Sequence, residues 1–154
     1  MPLLEFLSPD AVAPALRVNG KKQALHELAF HAARLTGLDE RTIYEILLQR
    51  ERLGSTGIGE GIAIPHGKLP QLDRLFGFLA RLDRPIDFEA LDGQPVDILF
   101  LLLAPEGAGA DHLKALARVA RVLREPGLVE RIRAARDADA LYAIMTHTPA
   151  PQAA

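Results

Sequence analysis

The stretch VDILFLLLAP, Val96 to Pro105, constrains the fold of this chain more than any other. Between Val96 and Leu103 only Asp97 is polar, so a strand here has no wet face and must be covered on both sides. The run is far short of the roughly 20 apolar residues of a membrane span, and Pro105 ends it. A second run, LFGFLARL from Leu75 to Leu82, has the same character. Asp83-Arg84-Pro85 reads as the turn after it, and Asp92-Gly93-Gln94-Pro95 as the turn that leads into the first run. Val96–Leu103 is therefore expected at the centre of a sheet.

Helical patterns surround these strands. Ala24, Leu25, Leu28, Ala29, Ala32 and Leu35 recur at helical spacing from Lys21 onward, and Gly37 stands where that helix should stop. Asp39 is a cap for a second helix, with Ile43, Ile46 and Leu47 on its buried face and Gly54 at its end. Asp111 is expected to cap a third, buried through Leu113, Leu116, Ala117, Ala120 and Leu123 and broken at Glu125-Pro126-Gly127. Two short helices are expected at Leu128–Ala135 and Asp137–Met145, while Met1–Asn19 reads as a short strand or irregular lead-in. Helices before, between and after strands define an α/β fold: a single-domain α/β/α sandwich around a mixed sheet. Residues 1–146 form the domain, and residues 147–154, rich in Pro and Ala, read as a flexible tail.

Composition narrows the function classes. Eighteen Lys and Arg against 20 Asp and Glu leave a formal charge of -2, without the basic surplus of a nucleic-acid binder. The absence of cysteine removes thiolate nucleophiles and Cys-ligated zinc. No secretory leader or membrane span is visible, so a cytoplasmic protein without membrane insertion is expected. His26 and His31 are five apart, outside the spacing that puts two ligands on one helical face, and no metal or other cofactor is expected. The aspartates at 73, 83, 87, 92 and 97 surround turns and strand starts, which gives no carboxylate pair for a hydrolase.

The chemistry lies in GSTGIGEGIAIPHGK, Gly54 to Lys68, where Ile58, Ile62 and Ile64 alternate with small residues as short extended pieces. A nucleotide-binding P-loop requires four residues between its glycines and a hydroxyl after the lysine. Here five residues separate Gly61 from Gly67, and Leu69 follows Lys68. The dinucleotide fingerprint fails as well, because the third glycine comes one place early and helices precede the motif. What remains is His66, between Pro65, which fixes the local backbone, and Gly67, which removes bulk beside the ring. A neutral imidazole can take a phosphoryl group directly, with backbone N–H groups of the glycines receiving its oxygens. The same residues also fit an ordinary turn histidine. His112, in the first turn of the third helix, lies where an anion is favoured and could face His66; it could equally be a surface residue that follows a cap.

With these residues in view, the chain resembles the enzyme IIA proteins of the phosphoenolpyruvate-dependent phosphotransferase system, of the fructose/mannitol/nitrogen superfamily, and among them most the nitrogen type. The likeness runs from about Leu16 to Met145 and is carried by RERLGSTGIGEGIAIPHGK, QPVDILFLLLAP and DHLKALARVARVL. The resemblance implies that His66 is the phosphoryl acceptor, modified on Nε2, with Nδ1 oriented by a backbone carbonyl. It implies that His112 is a supporting histidine, that Arg50 helps receive the phosphoryl group, and that Ser55 and Thr56 lie on the loop beside the pocket. It also implies a sheet of about five strands and, as phosphoryl donor, a small carrier protein of the HPr or NPr type. The partner surface is expected to combine an apolar rim, Ile58, Ile62 and Leu69, with charge complementarity, although the two isoleucines fit the core better than the rim. As a free-standing domain, the chain reads as a regulatory phosphotransferase that binds targets such as sensor kinases or potassium transport systems according to its phosphorylation. The alternatives are a sugar-specific IIA component that serves a IIB domain, or a binding module of this fold without the chemistry.

Overall fold

A computed structural model describes residues 2–146, so the expectation of a flexible tail at 147–154, His147 included, lies outside the described residues. After a single 3-10 turn at Leu3–Glu5 come β1 (Val12–Leu16), α1 (Lys21–Thr36) and α2 (Glu40–Arg52). Three short strands follow, β2 (Gly57–Gly59), β3 (Ile62–Ala63) and β4 (His66–Leu69), then the long β5 (Phe76–Ile86) and β6 (Val96–Pro105). The chain continues through α3 (Ala110–Leu123), α4 (Leu128–Ala134) and α5 (Ala138–Thr146).

The sheet is mixed and six-stranded, one strand more than expected. Its order is β1-β5-β6-β3-β2, and β4 also pairs with β6. As its composition requires, β6 is central, with Ile98 to Ala104 fully buried. β3 and β4 lie end to end along one edge of β6, both parallel to it: Ile62 pairs with Ile98 and Ala63 with Leu99, then His66 with Leu102 and Leu69 with Pro105. The extra strand is thus a split one. Pro65, which has no N–H to give a ladder, sits in the interruption while its carbonyl accepts from Leu102 N at 2.9 Å.

β5 shows that helices cover both faces. Phe78 stacks on His31 of α1 at 5.0 Å, whereas Arg81, on the opposite face, donates to the carbonyls of Ile132 at 2.8 Å and Ala135 at 2.7 Å at the end of α4. Asp83-Arg84-Pro85 is not the expected turn. These residues lie inside β5, at an irregularity in its pairing with β6 between Arg81 and Ile86, where Pro85 has no ladder bond to break.

The helix starts and stops follow local chemistry. Asp39 caps α2 by accepting from Thr42 N at 2.9 Å, and Gly37 ends α1 with φ of 77°. The third helix departs from expectation in two ways. Its cap is Gly109, with Asp111 in the first turn, and its buried face runs through His112, Ala115, Val119, Val122 and Leu123. Leu113 is 70% exposed. The two candidate faces share Leu123 and otherwise lie one residue apart, about 100° around the helix, and tertiary packing, not local spacing, selects between them.

The glycine-rich stretch folds into a hairpin. Gly59 pairs with Ile62, and the intervening Glu60 and Gly61 have φ of 59° and 82°, the left-handed pair of a type I′ turn.

Candidate functional site

His66 begins β4 immediately after the break at Pro65, and this break lets the Ile64 carbonyl turn back toward the ring. Nδ1 of His66 lies 2.9 Å from Ile64 O, and Nε of Arg50 lies 3.2 Å from His66 Nε2. A carbonyl oxygen can only accept and a guanidinium N–H can only donate, so both contacts require the same tautomer: the proton on Nδ1, the lone pair on Nε2. Arg50 reaches the ring from the last turn of α2, and its head is steadied by a second bond, Nη1 to Gly54 O at 2.8 Å.

His112 comes from the first turn of α3 and stands edge-on to His66, with ring centroids 5.6 Å apart and planes at 81°. It is no surface residue, being only 6% exposed, and its Nε2 is buried without a hydrogen-bond partner. Burial holds the pKa of His66 below its ordinary value; the Ile64 carbonyl opposes this, and Arg50 adds to it. The His112 pKa is likewise lowered, first by burial and then by His66 and Lys68. Both rings are neutral around neutral pH.

The three residues border a cleft of about 630 Å³, to which Lys68, Arg52 and the 85% exposed Leu53 also contribute. No carboxylate is among the residues that line it, so the three cationic side chains of the lining, Arg50, Arg52 and Lys68, favour a dianionic group there. Gly67 belongs to the lining for a steric reason: a Cβ there would stand 2.4 Å from Ile46 Cγ2, so its absence lets α2 lie close against β4. No group of residues suited to hold a metal ion exists among the described residues.

Other expected contributors stand elsewhere. Ser55 Oγ donates to Phe88 O at 2.8 Å and accepts from Gly57 N at 3.0 Å, and Thr56 is buried against Glu51; neither lines the cleft. Of the glycines in the stretch, Gly67 is among the residues that line the cleft, whereas Gly57, Gly59 and Gly61 belong to the hairpin. Ile62 and Leu69 are core, and Ile58 borders a separate cavity beside Leu91 and Asp92, so the apolar rim of the cleft is instead Leu53 with Ile46.

Residue-by-residue reading overlooked Glu51. Its carboxylate is 3% exposed, lies 2.8 Å from Lys21 Nζ, accepts from Thr56 N at 3.1 Å and contacts the Thr56 hydroxyl. The signal was present in the spacing: Ile43, Leu47 and Glu51 recur every four residues and are the buried face of α2, so a charge closes an otherwise apolar line.

A histidine with its lone pair toward a cleft, a neighbouring imidazole and cationic side chains at the break of a strand are groups that suit phosphoryl transfer, and the family to which the chain belongs is a phosphoryl-transfer one. The chain belongs to the phosphoenolpyruvate-dependent sugar phosphotransferase system EIIA 2 family, whose model matches residues 5–148. Within that family it is similar to regulatory members: it is 62% identical over 153 residues to the nitrogen regulatory protein of Bradyrhizobium diazoefficiens, covering 99% of this chain and 100% of that one. Identity to the nitrogen regulatory protein of Pseudomonas aeruginosa is 43%, over 93% of this chain and 94% of that one. The crystal structure of nitrogen regulatory protein IIA-Ntr from Neisseria meningitidis superposes with a TM-score of 0.87 at 34% identity, covering 92% of this chain and 97% of that one.

Proposed function

We propose that this protein is a nitrogen-regulatory enzyme IIA whose His66 accepts a phosphoryl group on Nε2 from a phosphohistidine of an HPr- or NPr-type carrier. The supporting observation is the Nδ1 contact to Ile64 O at 2.9 Å, which keeps the ring proton away from the nitrogen that faces Arg50 and the cleft. In the transfer, the lone pair of His66 Nε2 forms the new N–P bond as the carrier's N–P bond breaks. The electron pair of the broken bond returns to the carrier's imidazole. His66 keeps its Nδ1 proton, donated to the Ile64 carbonyl, and the resulting cationic ring is balanced by the phosphoryl dianion. Arg50 must leave Nε2 as phosphorus arrives; anchored at Gly54 O, its guanidinium pivots onto the phosphoryl oxygens. The buried Nε2 of His112 then donates to one of those oxygens.

Phosphorylation adds about -1.5 to -2 charges to a cationic cleft, enough to change which proteins bind there, and this is the regulatory output. Targets of the sensor-kinase or potassium-transport class and a cytoplasmic setting fit this output. Among the described residues no helix is long and apolar enough to cross a membrane.

The test incubates the protein with phosphoenolpyruvate, enzyme I and the carrier and weighs it. One acid-labile phosphoryl group is expected, and none in His66→Ala; label that survives that substitution places the site elsewhere. Onward transfer to a sugar-specific IIB domain would assign the protein to the transport branch instead.

A further inference from the structure

We propose that Glu51 is a positioning residue for the phosphoryl acceptor, its buried carboxylate closing the turn whose backbone leads to the Ile64 carbonyl and carries the Gly54 carbonyl, the two on which the His66 site depends. The inference rests on the phosphoryl-acceptor reading of His66 and adds to it how the acceptor is held.

Two chains of hydrogen bonds lead from Glu51 to the site. In the first, Glu51 accepts from Thr56 N at 3.1 Å, Thr56 O accepts from Ile64 N at 3.0 Å, and Ile64 O receives His66 Nδ1–H at 2.9 Å. In the second, the main-chain carbonyl of Glu51 accepts from Gly54 N at 3.1 Å, and Gly54 O, in the turn that the carboxylate closes at Thr56, holds the Arg50 guanidinium that touches His66 Nε2. The carboxylate therefore closes the turn between α2 and β2, and this turn carries one carbonyl of each chain. Nothing else in the turn ties Thr56 N down, and Gly54, with φ of 148°, supplies no stiffness of its own.

A buried carboxylate needs a partner, and Lys21 at the start of α1 provides it at 2.8 Å. Lys21 is itself held by Glu89 at 3.3 Å and lies 5.0 Å from the Phe88 ring centre. The turn is thereby referenced to α1 and to the β5–β6 connection rather than left to itself. Thr56 also gains a role: its side chain completes the Glu51 contact, and its backbone carries the alignment onward.

The test separates positioning from folding and from the function itself. The tautomer of His66 is read by nitrogen NMR without any phosphoryl donor, and single-turnover acceptance is measured over a range of carrier concentrations. In folded Glu51→Ala, a mixed His66 tautomer is expected, with a rate constant about ten- to a hundredfold lower and half-saturation by the carrier unchanged, since Glu51 is not on the surface. Glu51→Gln keeps an acceptor for Thr56 N and should restore the Nδ1–H tautomer and most of the rate. If the alanine variant does not fold, the Lys21→Met/Glu51→Leu pair, which removes both charges together, replaces it with the same expectation. A wild-type tautomer and rate in whichever of the two is folded would overturn the proposal, as would a larger loss in Glu51→Gln than in Glu51→Ala. A wild-type protein that accepts no phosphoryl group would defeat the acceptor reading while the tautomer measurement still judged Glu51.

Discussion

A buried imidazole nitrogen without a partner, such as His112 Nε2, costs about 1–3 kcal/mol relative to a satisfied one. If His66 is phosphorylated as proposed, that cost is recovered when the oxyanion arrives, and His112 would act more strongly on the phosphorylated state than on the free one. His112→Ala should slow single-turnover acceptance about a hundredfold, and His112→Gln, which retains an N–H donor, should lose less and stay measurable. An unchanged rate in the alanine variant would remove His112 from the site. Arg50 makes a different demand, because it bonds Gly54 O and His66 Nε2 at once through separate nitrogens. Lysine offers one ammonium and cannot span both, so Arg50→Lys should reduce acceptance about tenfold while leaving the thermal midpoint within a few degrees. A wild-type rate in that variant would show that charge alone suffices. These residues were readable in the sequence for unequal reasons. His66 stands out through its Pro and Gly neighbours and Arg50 through the resemblance, whereas the burial of His112 depends on which face of α3 meets the sheet.

Arg50 reaches His66 because α2 lies against β4, and Gly67 sets their separation. In Gly67→Ala the new methyl would meet Ile46 Cγ2 at 2.4 Å, so α2 must shift or Ile46 must change rotamer. A loss of about 1–3 kcal/mol in chemical denaturation is expected, together with slower acceptance as Arg50 moves with the helix. Adding Ile46→Ala removes the clashing atom and should restore the rate more fully than the stability, because it also leaves a void. No gain in rate from the second substitution would show that the helix position does not govern Arg50. Most elements of this layout are legible locally: α1 and α2 by apolar spacing with Gly37 and Asp39 at their ends, β6 by its unbroken apolar run. The split of β3 from β4 was less so, since Pro65 announces a break but not that both halves rejoin the same neighbour. Asp83 to Pro85 carries turn residues yet continues β5, because pairing on either side overrides local preference.

For the whole molecule, three histidines link the fold to pH in one direction. His66, His112 and His31 all have pKa values held below 6.5, with burial the first cause in each case. Above that value all three are neutral in both the folded and the unfolded chain, so stability is insensitive to them. As pH falls below it, the unfolded chain takes up protons that the folded one refuses, and stability declines until the folded pKa values are reached. Asp39 and Asp92 act in a lower window: the Thr42 N–H and the Glu60 N–H hold their carboxyls below 3.8, so their contribution is lost as pH falls through the folded values. Urea midpoints should therefore be flat from pH 8 to about 6.5 and fall below it, with a shallower fall in His66→Gln. The proposed phosphoryl acceptance follows the folded protein alone, because in that reading it needs the lone pair on His66 Nε2. It should hold its neutral-pH rate down through 6.5 and decline only at more acidic values, after the onset of the stability loss. Acceptance already halved at or above pH 6.5 would mean that the His66 ring is not shielded as the Ile64, Arg50 and cleft geometry requires.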